Sequence, residues 1–243
     1  MAFGVKLRIW GDYAAFNRPE MKVERVSYDI ITPSAARGIL EAIYWKPQIR
    51  WVVERIHVLA AIRFTHIRRN EISDTISTKG RTGVVSAMKE GSGKLGISVT
   101  DVRQQRAAMI LKDVNYGIQA HLEVLDPRER DGTIPETPEA KHLDSFNRRA
   151  GRGQYFHHPY LGCREFPASF EPVDSFPPCP PDLQGEHDFG WMLLDLDFSP
   201  DKKGSVVESS QGRRLRAEPR FFRATAVDGV VEVPSLKAEG VLS

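Results

Sequence analysis

Residues 32–59 have the sequence TPSAARGILEAIYWKPQIRWVVERIHVL, which predicts one helix followed by one long strand. Thr32 suits the capping position of this helix, and Pro33 suits its first position because the amide it lacks would be unpaired there anyway. The apolar face of the helix is formed by Ala36, Ile39, Leu40 and Ile43. Pro47 is expected to end the helix. In the strand, the apolar alternation slips by one residue near Glu54–Arg55, which predicts a β-bulge.

The end of this predicted helix carries the first candidate functional residues. Tyr44, Trp45 and Lys46 place two aromatic rings and one cation beside the junction of helix and strand. A rigid junction holds such side chains in a fixed geometry, so the sequence favours this point as a place for chemistry.

The composition is typical of a globular protein. The chain has 243 residues, 41% of them hydrophobic, which suffices for one large or two modest cores. We expect a cytoplasmic protein that does not enter membranes, because the chain starts with a strand pattern and has no run of about eighteen apolar residues. Cys163 and Cys179 lack metal-ligand spacing, so we interpret them as free thiols.

Charge is distributed unevenly, although the net charge is only +2. Residues 171–210 contain nine acidic and two basic side chains, so the rest of the chain is basic. Basic clusters with aromatic neighbours suit a nucleic acid, whose phosphates attract cations and whose bases stack on rings. The clusters are Arg68–Arg69, Arg103–Arg106, Arg148–Arg149–Arg152 and Arg213–Arg214–Arg216, with Tyr155, Phe156, Phe221 and Phe222 near several of them. Any single cluster is also consistent with a solvated surface.

The remaining sequence predicts further strands and a second helix. Strands are expected at 5–10, 114–124, 166–170 and 190–198, and a final pair surrounds the turn Asp228–Gly229. The second helix runs from a Thr137 cap to Gly151. Residues 63–103 show no pattern long enough for a defined element, so we interpret them as a loop or a disordered insertion.

The order strand, helix, strand, strand, helix, strand predicts an α+β fold of the ferredoxin-like type. Both helices then pack on one face of an antiparallel sheet, as in many RNA-binding domains. We assign residues 1–171 to this ferredoxin-like domain with inserted loops, and residues 172–243 to a smaller antiparallel β module. Such a fold does not by itself identify a function.

Lys141 and His142 lie in the first turn of the second helix, where the helix dipole disfavours cations. The same helix end attracts phosphate and lowers the pKa of a nearby His or Lys, so the pair suits a scissile phosphodiester. For an isolated Lys–His pair, a solvated helix end is the plainer interpretation.

Metal-binding patterns are weak in this sequence. The side chains of His157–His158 diverge in extended chain and match no metal spacing. Asp195 and Asp197 share one face of a predicted strand and could hold Mg²⁺, but the solvent face of an outer strand explains them more simply. We therefore predict no metal and no cofactor.

Four segments together resemble the Cas5d family of subtype I-C CRISPR systems, which belongs to the RAMP superfamily. These segments are GDYAAFNRPEMKVERVSYDIITPSAARGILEAIYWKP at 11–47, AKHLDSFNRRAGRGQ at 140–154, LGCREFPASF at 161–170 and GWMLLDLDF at 190–198. The resemblance implies a metal-independent endoribonuclease that cuts CRISPR repeat precursor RNA at the base of its hairpin. It also implies that the protein then holds the 5′ handle of the mature guide RNA within the effector complex.

The resemblance also places the family's catalytic tyrosine, lysine and histidine at Tyr44, Lys141 and His142. Cleavage needs a base for the 2′-OH proton, a cation for the charged phosphorane and an acid for the leaving 5′-oxygen. His142 suits proton transfer near neutral pH, Lys141 suits charge stabilisation, and Tyr44 can position the 2′-OH or share the proton transfers. Which of Tyr44 and His142 is the base stays open.

The candidate RNA-binding residues are Lys46, Arg68, Arg69, Arg106, Arg148, Arg149 and Arg152. Expected partners are CRISPR repeat RNA, mature guide RNA and the other subunits of the type I-C effector complex, with DNA as a further option. Two other functions stay open. One is a scaffold that binds the 5′ handle without cutting it. The other is a metal-dependent nuclease or double-stranded DNA-binding protein that uses Asp195, Asp197 and the arginine clusters.

Overall fold

The computed structural model describes residues 4–21, 23–80, 83–91, 93, 96–129, 131–208 and 212–242. Within these residues the helices are α1 (Pro33–Ile43), α2 (Val84–Glu90), α3 (Val99–Val102) and α4 (Pro138–Ala150), with a 3₁₀ turn at Pro181–Leu183. The strands are β1 (Gly4–Ala14), β2 (Arg25–Val26), β3 (Ile49–Val58), β4 (Phe64–Ile72), β5 (Arg103–Val124), β6 (Ser169–Pro172), β7 (Glu186–Pro200), β8 (Val206–Glu208), β9 (Arg213–Val227) and β10 (Val230–Glu232).

The described strands form one sheet, whose main order is β6-β1-β5-β3-β10-β9-β7. Strands β1, β3, β5 and β6 correspond to the first, second, third and fourth strands of a β-α-β-β-α-β unit. They lie in the order fourth, first, third, second, and each neighbouring pair is antiparallel. This is the strand order of a ferredoxin-like fold. The predicted α+β class is therefore confirmed.

The C-terminal strands continue the same sheet. β10 pairs with β3 at Val231↔Ile56, and β9 and β7 follow outward. β7 also reaches α1, where Arg37 donates two hydrogen bonds of 2.6 and 2.9 Å to Asp195. The division into residues 1–171 and 172–243 stays a prediction, since strands from both segments share this sheet.

Helix α4 packs beside α1 on one face of the sheet. The ring of Phe146 in α4 lies 4.8 Å from that of Trp51 in β3. Arg149, in the last turn of α4, donates from Nη1 to the carbonyl of Ile43 at 3.1 Å. The bounds of α4 agree with the sequence, and Thr137 lies at the N-cap as predicted. Its side chain makes no capping hydrogen bond, so that part of the prediction is wrong.

Three local predictions are confirmed. Thr32 Oγ1 accepts a hydrogen bond from the amide of Ala35 at 3.2 Å, which caps α1. The register of β3 shifts between Val53 and Arg55. This bulge keeps four apolar side chains buried, namely Trp51, Val53, Ile56 and Val58. Asp228–Gly229 forms the turn between β9 and β10, with φ values of 49° and 73°.

Helix α1 ends at Ile43, earlier than Pro47 indicates. Tyr44 already has an extended backbone, with φ −150° and ψ 118°. Its carbonyl accepts a hydrogen bond of 2.9 Å from Trp51 Nε1 in β3. Because a buried indole uses this carbonyl, the contact between helix and strand ends the helix before the proline does.

The prediction of a loop over residues 63–103 is wrong. Residues 64–72 form β4, which pairs with the first part of β5, and β5 itself begins at Arg103. Helices α2 and α3 lie between the two strands. The side chains of β4 alternate between exposed and half-buried, so the strand needs few apolar residues and shows little hydrophobic alternation. Residues 81, 82, 92, 94 and 95 lie outside the described residues.

Two predictions concern features away from the sheet. In the described part of the chain, no helix is both long enough and apolar enough to cross a membrane. Cys163 and Cys179 are free cysteines, as expected. Burial raises the pKa of the Cys163 thiol, which keeps it protonated near neutral pH.

Candidate active site

Tyr44 and His142 meet where the end of α1 contacts α4. The phenol oxygen of Tyr44 lies 2.8 Å from Nδ1 of His142. The two residues are 5% and 7% exposed, so the hydrogen bond is shielded from water. The structure thus brings together two of the three residues predicted to be catalytic.

Arg149 and Trp51 fix Tyr44 from two sides. The guanidinium of Arg149 lies 5.4 Å from the centre of the Tyr44 ring, while its Nη1 holds the carbonyl of Ile43. Trp51 holds the carbonyl of Tyr44 itself. Both the backbone and the ring of Tyr44 are therefore constrained by residues outside α1.

Burial shifts the pKa values of this pair in opposite directions. It raises the pKa of the Tyr44 phenol and lowers the pKa of the His142 imidazole. Glu129 acts against the fall in the pKa of His142, whereas Lys141 and Lys46 add to it. Near neutral pH the phenol keeps its proton and the imidazole is mostly neutral, so it can accept a proton.

Lys141 precedes His142 and is bound by an acidic side chain. Its Nζ donates to Glu129 Oε1 at 2.6 Å, and the lysine and glutamate side chains are 52% and 30% exposed. An ammonium group has three N–H donors, so two stay available for a phosphate oxygen. The third predicted catalytic residue thus presents an accessible cation next to the buried pair.

An open cleft of about 470 Å³ lies beside these residues. One wall is Pro47 and Gln48, which follow Tyr44 closely in the chain. The other wall is the loop after β5, represented by Asp126, Arg128, Glu129 and Gly132. Glu129 lines this cleft and also binds Lys141, so one residue of the cleft wall contacts the lysine.

Four of the predicted RNA-binding residues lie near this junction, namely Lys46, Arg148, Arg149 and Arg152. Lys46 is exposed and close enough to His142 to lower its pKa. Arg149 supports Tyr44 and is only half exposed. Arg148 and Arg152 are exposed at the end of α4 and pair with no carboxylate among the described residues. The two latter arginines are therefore available to phosphates.

The structure does not bring Arg68, Arg69 and Arg106 to this site. Arg68 and Arg69 lie on β4, and Arg106 lies near the start of β5. The loop that binds Lys141 follows the other end of β5, which is 22 residues long. Arg69 is bound by Glu165, and Arg106 lies 3.7 Å from Glu71. Their contact with RNA stays a prediction, separate from the cleavage site.

Comparison with known proteins agrees with these features. A family model described as CRISPR-associated protein (Cas_Cas5), that of Cas5d, matches residues 4–234. The chain belongs to the Cas5d family. Its relatives include a CRISPR pre-crRNA endoribonuclease Cas5d from Mannheimia succiniciproducens, 48% identical over 99% of both chains. Another protein of that name, from Thermus thermophilus, is 42% identical over 96% of this chain and 92% of its own.

Solved structures agree with the Cas5d fold. A functionally uncharacterized protein from Streptococcus mutans superposes with a TM-score of 0.63 at 19% identity, covering 99% of this chain and 97% of that protein. A structure described as a CRISPR-associated protein superposes with a TM-score of 0.59 at 19% identity, covering 99% of this chain and 96% of that protein. At such low identity these likenesses support the fold alone. The family resemblance inferred from the sequence motifs is confirmed by the family model and the closely similar relatives.

In this Cas5d chain the two aspartates considered as Mg²⁺ ligands are bound by arginines. Asp195 is held by Arg37 and is only 18% exposed, so the prediction that it faces solvent is wrong. Asp197 accepts a hydrogen bond of 3.0 Å from Arg220. The physical reason is that β7 lies against α1, which turns a seemingly outer strand into a partly covered one.

Two residues of the site were missed from the sequence. The first is Glu129, which binds Lys141. The second is Ser145, whose hydroxyl donates to the Lys141 carbonyl at 3.0 Å and also lowers the pKa of Tyr44. The only sequence signal for such a partner is that Lys141 lies at the positive end of α4, where a nearby carboxylate is stabilising. The sequence offered several acids in the preceding loop and no means of choosing between them.

Proposed function

We propose that this Cas5d chain is an endoribonuclease that cuts CRISPR precursor RNA within its repeat. The observation that carries the proposal is the 2.8 Å contact between Tyr44 and His142, with the Lys141 cation beside it. Two relatives that are 48% and 42% identical over nearly the whole chain are named for this activity. The acidic residues of the alternative metal site are engaged in ion pairs with Arg37 and Arg220, which favours the site at Tyr44.

His142 acts as the base. When Nδ1 carries the hydrogen and donates it to the Tyr44 oxygen, Nε2 has a free lone pair that takes the proton of the 2′-OH. The 2′-oxygen then attacks the adjacent phosphorus, and the bond from phosphorus to the 5′-oxygen breaks. The raised pKa of the phenol keeps Tyr44 protonated near neutral pH. Tyr44 donates this proton to the departing 5′-oxygen while the Nδ1 hydrogen of His142 passes to the phenol oxygen, so both side chains end neutral.

Lys141 stabilises the negative charge of the phosphorane through the N–H donors that Glu129 leaves unused. The products are a 2′,3′-cyclic phosphate and a 5′-OH. Base, cation and proton donor are all side chains of this protein, so the proposed steps do not require a metal.

The exposed cations near the site suggest how the protein keeps its product after cleavage. Lys46 follows Tyr44 closely in the chain, and Arg148 and Arg152 are exposed at the end of α4. These cations retain the 5′ handle of the guide RNA. The protein then serves as a subunit of the type I-C effector complex in the cytoplasm, where its RNA is made.

Incubation of the cognate repeat RNA with the protein in EDTA tests this function. We expect one cut at the base of the hairpin, a 2′,3′-cyclic phosphate on the upstream fragment and a 5′-OH on the downstream fragment. A rate that disappears with EDTA and returns with Mg²⁺ contradicts the metal-free mechanism. Tight RNA binding without any cut indicates instead a scaffold that only holds the handle.

A further inference from the structure

Glu129 makes the shortest polar contact of the catalytic lysine. Its Oε1 lies 2.6 Å from Lys141 Nζ, across a gap between the loop after β5 and the first turn of α4. The Lys141 side chain is 52% exposed and would otherwise move among many rotamers. The ion pair selects the rotamer in which the ammonium stays beside the cleft.

The loop that carries Glu129 is anchored to the chain segment just after Tyr44. The carbonyl of Gln48 accepts hydrogen bonds from the amides of Leu125 at 2.7 Å and Asp126 at 3.3 Å. Within the loop, the amide of Glu129 donates to the carbonyl of Thr133 at 2.7 Å. These hydrogen bonds anchor the start of the loop to the segment just after Tyr44 and hold Glu129 within the loop.

The charge of Glu129 also reaches His142. The charged groups that act on this imidazole are Lys46 after α1, Glu129 in the loop, and Glu139 and Lys141 in α4. Among them Glu129 has the largest effect, and it favours the protonated imidazole. Tyr44, the direct partner of Nδ1, is neutral near pH 7 because of its raised pKa.

We propose that Glu129 is a positioning residue of the cleavage site. Glu129 holds the Lys141 ammonium toward the scissile phosphate, and it stabilises the imidazolium that His142 becomes when it accepts a proton. This inference rests on the proposed ribonuclease function and adds a fourth residue to it. Glu129 itself touches neither the attacking nor the leaving oxygen. Its carboxylate instead binds one of the three ammonium hydrogens and leaves two for the RNA.

An ordinary surface ion pair contributes little to stability. The location of Glu129 gives it a larger role in catalysis than in folding. A misplacement of about 1 Å in a catalytic group can lower the rate about a hundredfold, even where stability hardly changes. Loss of Glu129 should therefore change the rate much more than the free energy of unfolding.

Three variants separate the two effects of Glu129. Glu129→Gln keeps the length of the side chain and removes its charge. Glu129→Asp keeps the charge and shortens the reach by one methylene group. Glu136→Gln is the matched control, because Glu136 is exposed in the loop before α4 and forms no ion pair with Lys141 among the described residues.

Single-turnover cleavage and NMR titration of the His142 ring are measured on each full-length variant. For Glu129→Gln we expect a rate about ten- to a hundredfold lower, little change in RNA affinity, and a His142 titration moved to lower pH. Glu129→Asp should lose rate while its His142 titration stays near that of the wild type. Glu136→Gln should cleave nearly as fast as the wild type.

A wild-type cleavage rate in Glu129→Gln overturns the proposal, and so does an unchanged His142 titration in that variant. The titration needs no RNA, so it tests Glu129 even if the wild-type protein does not cut its repeat. Absence of cutting by the wild type contradicts the proposed function, whereas normal cutting by Glu129→Gln contradicts only the role of Glu129.

Discussion

The phenol of Tyr44 and the imidazole of His142 share a buried hydrogen bond of 2.8 Å, although 98 positions separate them in the sequence. Tyr44 reaches this position because α1 ends just before it, and His142 because Phe146 packs α4 against Trp51 of the sheet. The site therefore depends on the packing of two helices on one sheet face. Changes in that packing should affect catalysis even where they leave the three side chains intact.

Tyr44→Phe removes the hydroxyl and keeps the ring. Nδ1 of His142 then loses its partner in a buried position, which should cost about 1–3 kcal/mol in the free energy of unfolding. We expect cleavage to slow by at least about a hundredfold, since the variant lacks both the proton donor for the departing oxygen and the partner that holds the imidazole in the tautomer that acts as base. Urea unfolding and single-turnover cleavage measure the two effects. Tyr13→Phe, at a 42% exposed tyrosine, is the control and should change neither.

The lowered pKa of His142 predicts the pH dependence of both cleavage and stability. Cleavage needs the neutral imidazole, so the rate should rise with pH through a midpoint below about 6.5, the ordinary value for histidine. The folded state holds the proton less tightly than the unfolded state does. The contribution of the neutral His142 imidazole to the free energy of unfolding is therefore complete above the pKa of the unfolded state. This contribution is lost as the pH falls toward the pKa of the folded state. In His142→Asn this part of the pH dependence of unfolding should disappear, and an unchanged curve would argue against the burial of the ring.

Arg148 and Arg68 allow the two basic surfaces to be compared. If RNA lies along the end of α4, Arg148→Ala should weaken binding and reduce the slope of log affinity against log salt by about 0.7. Arg68→Ala, on the distant strand β4, should leave the slope nearly unchanged. Filter binding of repeat RNA over a range of salt concentrations provides the measurement. A larger change for Arg68→Ala would place the RNA along β4 and β5 instead.

Asp195→Ala tests the alternative metal site. The guanidinium of Arg37 would lose the carboxylate that accepts two of its hydrogen bonds, and we expect the free energy of unfolding to fall by about 1–3 kcal/mol. Cleavage in EDTA should persist in the variant at temperatures where it is folded. A variant that melts like the wild type but has lost a Mg²⁺-dependent cleavage would favour the metal-dependent nuclease.

The sequence predicted the elements that carry strong local signals. The Thr32 cap, the bulge near Glu54 and the Asp228–Gly229 turn depend on short-range chemistry, and all three are present in the structure. Strand β4 was missed because its half-exposed side chains do not alternate in hydrophobicity. The error at Asp195 arose from a contact with α1 that no local pattern of β7 reveals.

The candidate site shows the same limit. Tyr44, Lys141 and His142 were recognisable from their motifs, and the structure brings the phenol and the imidazole into contact. The role of Glu129 was not predictable, because its contact with Lys141 depends on how the loop after β5 folds against Gln48. Sequence motifs thus indicated the groups that we propose to react, whereas the residues that hold them depend on tertiary contacts.

Single-turnover cleavage of repeat RNA in EDTA by the wild type, His142→Ala, Lys141→Ala and His66→Ala tests the central claim most directly. His66 is exposed on β4, far along the sheet from α4, and serves as the control histidine. We predict that His142→Ala and Lys141→Ala each lose at least about a hundredfold in rate while still binding RNA, and that His66→Ala cleaves like the wild type. Cleavage by His142→Ala at the wild-type rate would contradict the account, because the chemistry would then lie elsewhere in the protein.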